Sequence, residues 1–189
     1  MLTSAALVAL AEIGDKTQLL AIVLAARFKR PWPIVAGILV ETLGNHFLAA
    51  VVGEQAASLL EGIWFRYLVA ASFIVLAGWT LIPDTFEEDE EQPARFGAFL
   101  TTVVAFFLVE MGDKTQLATI ALAARFHSVV PVMAGTTIGM LIANIPAVLL
   151  GHEVIKRVPL ATVRLIAALM FLAIGLWLLA QTIGMIYSP

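Results

Sequence analysis

Two seventeen-residue stretches of this chain are nearly identical and lie 98 residues apart. The first, EIGDKTQLLAIVLAARF, begins at Glu12, and the second, EMGDKTQLATIALAARF, begins at Glu110; thirteen of the seventeen positions match. The same offset also pairs Pro33 with Pro131, Gly53 with Gly151, Arg66 with Arg164, Phe73 with Phe171 and Trp79 with Trp177. A constant offset along the chain is the signature of a tandem duplication. The fold must therefore be two copies of one unit.

The composition indicates what kind of unit is duplicated. Hydrophobic residues make up 61% of the 189 residues, charged residues only 13%, and the mean hydropathy is +0.97. Soluble domains carry roughly a quarter charged residues, so this chain is a membrane protein. It has no cysteine, which excludes disulfides and thiolate metal sites. No Lys or Arg precedes Glu12, so we expect the first apolar segment to remain as a helix rather than to be cleaved as a signal.

Apolar runs separated by proline, glycine and charged residues predict six membrane-spanning helices. They cover residues 2–25, 34–57, 64–83, 97–124, 130–152 and 160–186. Residues 1–83 then form one three-helix repeat and residues 97–189 a second, joined by the acidic linker 84–96. Because three crossings end on the opposite side of the membrane, the second repeat enters inverted. The predicted fold is an all-α integral membrane protein of six transmembrane helices in two inverted three-helix repeats.

The basic residues in the loops and at the ends of the predicted spans predict the orientation. One side of the membrane receives seven of them, and the other receives only Arg66 and Arg125. Lys and Arg collect on the cytoplasmic side, so both termini should be extracytoplasmic, in a cell inner membrane. The linker is then cytoplasmic, and its acidic residues contribute little to this rule.

The repeated motif places charges where a membrane helix tolerates them poorly. Glu12, Asp15 and Lys16 fall within the first span, and such residues cost about 2.5 to 3.5 kcal/mol each at the centre of a membrane helix. In a continuous helix they project from one face, as do their counterparts in the fourth span. Inverted repeats bring such positions together at the bilayer midplane. We expect one central cluster of four carboxylates and two ammoniums, formed by Glu12, Asp15, Glu110, Asp113, Lys16 and Lys114.

That cluster has the chemistry of a cation site. Four carboxylates and two ammoniums leave two negative charges, which one divalent cation would balance. Thr17, Gln18, Thr115 and Gln116 can add hydroxyl and amide oxygens, and Ca²⁺, Mg²⁺ and Mn²⁺ prefer oxygen-rich sites. Crowded carboxylates also favour proton uptake by the empty site. These properties indicate a cation/proton antiporter in which the lysines balance charge.

Other interpretations of the motif stay open at the level of sequence. The lysines could be internal cations that an arriving metal displaces. The motif could also bind nothing, with Glu12–Lys16 and Glu110–Lys114 acting as neutralising pairs within single helices. The glycine before each aspartate could allow close approach of a helix or an ion, or local unwinding. Repetition of Gly, Thr and Gln together with the charges favours a site.

The paired motifs resemble those of the Golgi manganese/calcium transporter family, whose bacterial members include manganese exporters. The family pattern of Glu, Gly, Asp, Lys and Thr falls on Glu12, Gly14, Asp15, Lys16 and Thr17, and again on Glu110, Gly112, Asp113, Lys114 and Thr115. The resemblance covers the whole chain, including both halves and the acidic linker. It implies Mn²⁺ or Ca²⁺ as the transported substrate and protons as the counter-ion, with no cofactor. Nothing in the motif separates the two metals.

Further polar residues lie inside the predicted spans. Glu41 is an intramembrane acid whose repeat counterpart is Gly139, so it is a candidate for the ion or proton path, or for a hydrogen bond to a neighbouring helix. Asn45 and Asn144 lie on corresponding helices one residue out of register, and either could supply a carbonyl ligand or bond across helices. His46 is a weaker ligand candidate, for which we expect a hydrogen-bonded packing role.

Two other functions fit parts of the pattern. A Gly-Asp pair in two membrane helices is typical of intramembrane aspartyl proteases, but Glu12 and Glu110 stand where that motif has a glycine, and a lysine beside each aspartate favours an ionised carboxylate. An exporter of small organic cations or amino acids would need a roomier, apolar pocket. No nucleotide-binding signature is present. The expected partners are therefore a divalent ion, protons and the lipid bilayer, without nucleic acid; the oligomeric state is open.

Overall fold

The computed structural model describes residues 1–60, 62–83, 97–151 and 158–187. Every regular element in these residues is an α-helix. In chain order the helices are α1 (Leu2–Glu12), α2 (Lys16–Phe28), α3 (Pro31–Leu59), α4 (Ile63–Thr80), α5 (Gly97–Glu110), α6 (Lys114–Phe126), α7 (Val129–Leu150) and α8 (Leu160–Tyr187). The acidic linker 84–96 lies outside the described residues, so the expectations about it rest on sequence.

Four of the predicted spans are single helices. The helices α3, α4, α7 and α8 match the predicted spans 34–57, 64–83, 130–152 and 160–186 to within a few residues. By length and composition these four can each cross a membrane, and α1 and α5 are shorter apolar helices. Large apolar side chains remain on the outer surface, such as Leu68 and Val75 with 61% and 66% exposure on α4. Such a surface suits contact with lipid.

The first and fourth predicted spans are each broken in two. The prediction of continuous helices over 2–25 and 97–124 was wrong, because α1 stops before α2 begins and α5 stops before α6 begins. Gly14 and Gly112 lie in the two gaps with φ angles of +80° and +78°, a left-handed conformation that glycine adopts at little cost. The acids of each motif therefore do not share one helix face. The glutamate ends one helix and the aspartate caps the next.

The two halves interlock. The helices α1 and α2 pack chiefly against α7, whereas α5 and α6 pack chiefly against α3, so each broken helix lies on the long helix of the other half. The helix α3 also packs on α7, and α4 packs on α8. Where α4 meets α8, the buried Phe73 faces its repeat counterpart Phe171, with ring centroids 6.3 Å apart. The charged motifs are thus buried by contacts between halves.

Glycines determine how closely these helices approach. A Cβ atom at Gly139 would lie 2.5 Å from the Ala5 carbonyl oxygen, so α7 and α1 touch backbone to backbone. A Cβ atom at Gly53 would lie 2.1 Å from the Ile120 carbonyl oxygen, so α3 and α6 do the same. At Gly151, the repeat counterpart of Gly53, no atom of the described residues lies within 4 Å of such a Cβ. Among the described residues, the contact at Gly53 thus has no equivalent at Gly151.

Candidate metal centre

Three carboxylates from the two motifs meet where the broken helices face each other. Oxygen atoms of Glu12, Asp15 and Asp113 all lie within 4.8 Å of one another, and all three side chains are buried. We call these residues the carboxylate triad. Glu12 ends α1, whereas Asp15 and Asp113 are the N-cap residues of α2 and α6. The structure thus brings three of the four predicted acids into one group.

The lysines of the two motifs form ion pairs across the halves. The Lys114 Nζ atom lies 2.6 Å from Asp15 Oδ1, and the Lys16 Nζ atom lies 3.2 Å from Asp113 Oδ1. The Lys114 side chain is buried, whereas the Lys16 side chain keeps 30% exposure. These pairs are reciprocal, because each half supplies one aspartate and one lysine. They contrast with the alternative of neutralising pairs within single helices.

Helix geometry adds to the positive surroundings of the aspartates. An α-helix carries a partial positive charge at its N-terminus, and a carboxylate placed there is stabilised. Asp15 and Asp113 occupy this position on α2 and α6, and Asp113 Oδ2 also accepts a hydrogen bond from the Thr115 backbone amide at 3.2 Å. The lysine and the helix terminus therefore both place positive charge beside each aspartate.

Glu12 is held by one threonine from each half. The Thr17 hydroxyl donates a hydrogen bond of 2.5 Å to Glu12 Oε2. The Thr115 hydroxyl donates to the other oxygen, Oε1. Both threonines were predicted as additional ligands, and the structure places both within reach of the triad. Their first role there is to orient Glu12, since each hydroxyl proton is used in that bond.

The two glutamines that were predicted as additional ligands form hydrogen bonds at the helix breaks. Gln18 Oε1 accepts a hydrogen bond from the Gly14 amide at 2.9 Å, and Gln18 Nε2 donates to the Ala143 carbonyl oxygen on α7 at 2.9 Å. Gln116 accepts from the second motif glycine at 2.8 Å and donates to Asn45 Oδ1 on α3 at 2.5 Å. Each glutamine thus binds the amide at a break and ties it to the long helix of the other half. The role of the Ala143 carbonyl oxygen could not be predicted from the sequence, because every residue carries a backbone carbonyl group.

The fourth predicted acid, Glu110, turns toward α3. Its Oε2 atom accepts a hydrogen bond of 3.0 Å from Asn45 Nδ2 and lies 3.9 Å from His46 Nε2. The carboxyl group of Glu41 lies close enough to interact with that of Glu110, and Glu110 also interacts electrostatically with Glu12. We call Glu41, Asn45, His46 and Glu110 the Glu110 cluster. It adjoins the carboxylate triad and places Glu41 beside the site.

Asn144 and His46 are both buried, and each has a polar atom without a hydrogen-bond partner in the described part of the chain. Asn144 Nδ2 donates to the Met140 carbonyl oxygen of its own helix at 3.1 Å, and Asn144 Oδ1 has no hydrogen-bond partner in the described part of the chain. His46 is fully buried, yet neither ring nitrogen has a hydrogen-bond partner among the described residues. The hydrogen-bonded packing role expected for His46 is therefore not found there.

The two helix breaks also differ in what covers them. The Leu160 side chain at the start of α8 lies 2.7 Å from the place that a Cβ atom on Gly14 would occupy. Around Gly112, no atom of the described residues lies within 4 Å of the equivalent position. Repeat counterparts in sequence thus have different environments in this conformation.

Comparison with known proteins finds one family whose members match nearly the whole chain. The family described as "Divalent cation/proton antiporter GDT1" matches residues 1–88 and 98–186. A Vibrio cholerae protein named "Putative manganese exporter" is 45% identical over 170 residues, covering 89% of this chain and 84% of the relative. A GDT1-like protein of Synechocystis is 31% identical over 187 residues, covering 87% of this chain and 89% of the relative. No solved structure matches the chain.

Asn45 and Asn144 lie on corresponding helices but make different contacts, so substituting each of them in turn tests the site with a matched control. Asn45→Ala removes the hydrogen bonds to Glu110 and Gln116, so we expect divalent cation binding to weaken by about tenfold, the equivalent of roughly 1.4 kcal/mol. Asn144→Ala should change binding less than about twofold, because Asn144 bonds within its own helix. The measurement is Mn²⁺ titration of each purified, folded variant. Equal losses in the two variants would contradict the different roles assigned to these asparagines.

Proposed function

Because this chain belongs to the GDT1 family of divalent cation/proton antiporters and is a transporter rather than an enzyme, we propose that it exports Mn²⁺ from the cytoplasm in exchange for protons. The alternative of an intramembrane protease is wrong for a member of this family. The alternative of an organic-cation exporter is set aside, because the family transports divalent cations. Mn²⁺ is favoured over Ca²⁺ by the name of the Vibrio cholerae relative. No cofactor takes part in the proposed cycle.

The carboxylate triad is the observation that carries this proposal. Its three carboxylates offer oxygen atoms within 4.8 Å of one another in a buried setting, and hard divalent cations bind such oxygens. With all groups ionised, the triad and its two lysines carry a net charge of minus one, and Glu110 brings the sum to minus two. A divalent cation neutralises that sum. We therefore keep Glu110 with Glu12, Asp15 and Asp113 in the proposed metal site.

The broken helices supply a second feature that suits an ion. The C-terminus of a helix carries a partial negative charge and carbonyl groups without a partner in the helix. The helices α1 and α5 end at Glu12 and Glu110, so both negative ends approach the site. Transporters use such half-helix C-termini to bind cations near the bilayer midplane. The N-termini of α2 and α6 meanwhile hold the aspartates, as described above.

Lys16 and Lys114 act in this proposal as charge-balancing counter-ions. Each is paired with the aspartate of the other half, at 3.2 Å and 2.6 Å. An unpaired carboxylate buried in the membrane is costly, so the lysines allow the empty site to persist. When metal arrives, the same oxygens are shared between the lysines and the ion.

We further propose that the two halves are three-helix repeats inserted in opposite directions, with six spans in total. The reciprocal Asp–Lys pairs and the Phe73–Phe171 contact are the pattern expected for two copies related by a two-fold axis. Gly53 makes a close contact with Ile120 that no described residue makes with Gly151, and this difference between repeat counterparts supports alternation. Exchange of these two arrangements would open the site to one side and then to the other.

The proposal predicts that neither aspartate of the triad can be lost. Asp15→Asn and Asp113→Asn each remove one negative charge and break an ion pair between the halves, so Mn²⁺ flux should fall at least about tenfold in each variant. The double variant should be scarcely worse, because residues that act as one unit are non-additive. The measurement is Mn²⁺ flux into proteoliposomes under a pH gradient.

A matched control for the aspartates is Glu54→Gln, which removes an acid of α3 outside the triad and the Glu110 cluster. Its flux should equal that of the unchanged protein. Substantial flux in one of the two aspartate variants, or about half the flux in each, would mean that the motifs are separate sites.

Glu41 is proposed to belong to the proton path, because it lies beside Glu110 and has no acidic counterpart in the second half. Glu41→Gln should keep Mn²⁺ binding within a few-fold, since the triad is intact, while slowing flux driven by a pH gradient. Binding and flux are measured on the same preparation, again with Glu54→Gln as the control. Unchanged flux in the Glu41→Gln variant would mean that Glu41 has a packing role and does not belong to the proton path.

The proposed orientation places both termini outside and the linker 84–96 in the cytoplasm of a cell with the chain in its inner membrane. The absence of cysteine makes a single introduced thiol specific. Asp89→Cys should react with a membrane-impermeant maleimide only after the cytoplasmic face is exposed, whereas Ser58→Cys, in the last turn of α3, should react in intact cells. Labelling of the Asp89→Cys variant in intact cells would mean that the linker is extracytoplasmic and that the proposed orientation is wrong.

A further inference from the structure

His46 is buried in the middle of α3 without a hydrogen-bond partner for its ring. Its side chain has 0% exposure, and neither Nδ1 nor Nε2 is hydrogen-bonded within the part of the chain that the structure describes. A buried polar group without a partner costs about 1–3 kcal/mol. An apolar side chain would fill this space without that cost, so the imidazole requires a functional explanation.

The Nε2 atom of His46 lies near the carboxylate of Glu110. Its distance of 3.9 Å from Glu110 Oε2 is longer than a hydrogen bond. Two atoms that bind the same small divalent ion at about 2.0–2.2 Å lie roughly 3–4.4 Å apart. The separation of these two atoms therefore suits a pair of ligands that share one ion.

The helix that carries His46 also holds Glu110 in place. Asn45, the residue before His46 on α3, donates a hydrogen bond of 3.0 Å to Glu110 Oε2 and accepts one of 2.5 Å from Gln116 Nε2 on α6. Hydrogen bonds of this kind orient the side chains that bind a metal. The imidazole and the carboxylate thus keep a defined separation before an ion arrives.

The second half has an asparagine at the position of His46. The offset of 98 residues pairs His46 with Asn144. Their surroundings also correspond: Gln116 donates to Asn45 beside His46, and its counterpart Gln18 donates to the carbonyl oxygen of the residue beside Asn144. An asparagine offers an amide oxygen but no imidazole nitrogen. At this repeat position the chain therefore carries a nitrogen ligand in its first half only.

We propose that His46 Nε2 binds the transported cation together with Glu110, and that this nitrogen makes the site selective for first-row transition ions over Ca²⁺ and Mg²⁺. Imidazole nitrogen is a common ligand of transition ions, whereas Ca²⁺ and Mg²⁺ are held by oxygen atoms. This inference rests on the proposed divalent-cation site and specifies the class of its substrate. It supplies a physical reason for Mn²⁺ rather than Ca²⁺ as the cargo.

The first test compares metal binding by the purified full chain and by His46→Gln, which puts an amide group near the place of Nε2. The affinity for Mn²⁺ should fall about tenfold while that for Ca²⁺ changes less than about twofold, because only the nitrogen ligand is lost. The affinity for Co²⁺ should fall further than that for Mn²⁺, since Co²⁺ binds nitrogen sites more tightly.

The matched control is His127→Asn, at the exposed C-cap of α6. Asparagine tolerates the left-handed backbone at this position, where φ is 47°. This variant should keep all three affinities, because His127 lies outside the carboxylate triad and the Glu110 cluster. Equal proportional losses of Mn²⁺ and Ca²⁺ binding in His46→Gln would overturn the proposed selectivity.

A spectroscopic measurement separates metal coordination by His46 from a packing role. Mn²⁺ bound to the unchanged protein should show electron spin echo modulation from a directly bound nitrogen nucleus. The pattern should change when histidine is isotopically labelled at its ring nitrogens, a test that does not depend on the folding of any variant. The modulation should vanish in His46→Gln and persist in His127→Asn. A modulation that is insensitive to labelling, or that survives His46→Gln, would overturn the inference.

The same preparations distinguish this inference from the proposed function. Mn²⁺ flux without nitrogen modulation would overturn the role of His46 and leave the transport proposal intact. Nitrogen modulation without Mn²⁺ flux would do the reverse. An unchanged protein that binds neither Mn²⁺ nor Co²⁺ would overturn both.

Discussion

The reciprocal ion pairs between Asp15 and Lys114 and between Asp113 and Lys16 are the constraint on which the rest of this structure depends. A charged side chain at the centre of a membrane helix costs about 2.5 to 3.5 kcal/mol even on insertion scales. Each half carries such charges, and in the folded chain it meets the opposite charges of the other half. The interlocked packing of each broken helix on the other half's long helix follows, because it brings the two motifs within bonding distance.

Breaking the helices is what makes those pairs and the carboxylate triad compatible. A continuous helix would place Glu, Asp and Lys of one motif on one face, where they satisfy one another at three- and four-residue spacing. The breaks at Gly14 and Gly112 redirect the chain, so that the aspartates stand at helix N-termini and the glutamates at helix C-termini. A break inside a membrane also exposes backbone amides, which must find partners. Gln18 and Gln116 accept hydrogen bonds from those glycines and explain why the motif extends beyond its charges.

The sequence could predict the duplication, the long helices and the residues that carry the charges, because those follow from a fixed offset and from hydropathy. It could not choose between pairing within a motif and pairing across halves, since both satisfy the same charges. Nor could it place Glu110, whose position depends on Asn45 and Glu41 of α3 rather than on its own motif. The helices over 2–25 and 97–124 were wrongly predicted as continuous for a related reason: a glycine in an apolar run is compatible with close packing or with unwinding, and only the φ angle decides.

Divergence at one repeat position explains why the two halves of the site differ. Gly139 lets α1 approach α7 until backbone atoms touch, and Glu12, one turn from that contact, is held by two threonines. The equivalent position in α3 is Glu41, whose side chain stands beside Glu110 instead of allowing such an approach. One glutamate is therefore fixed by hydroxyl donors within the triad, while the other shares its surroundings with a second acid. A duplicated chain with identical halves would have two equivalent glutamates, whereas this one gives Glu12 and Glu110 different neighbours.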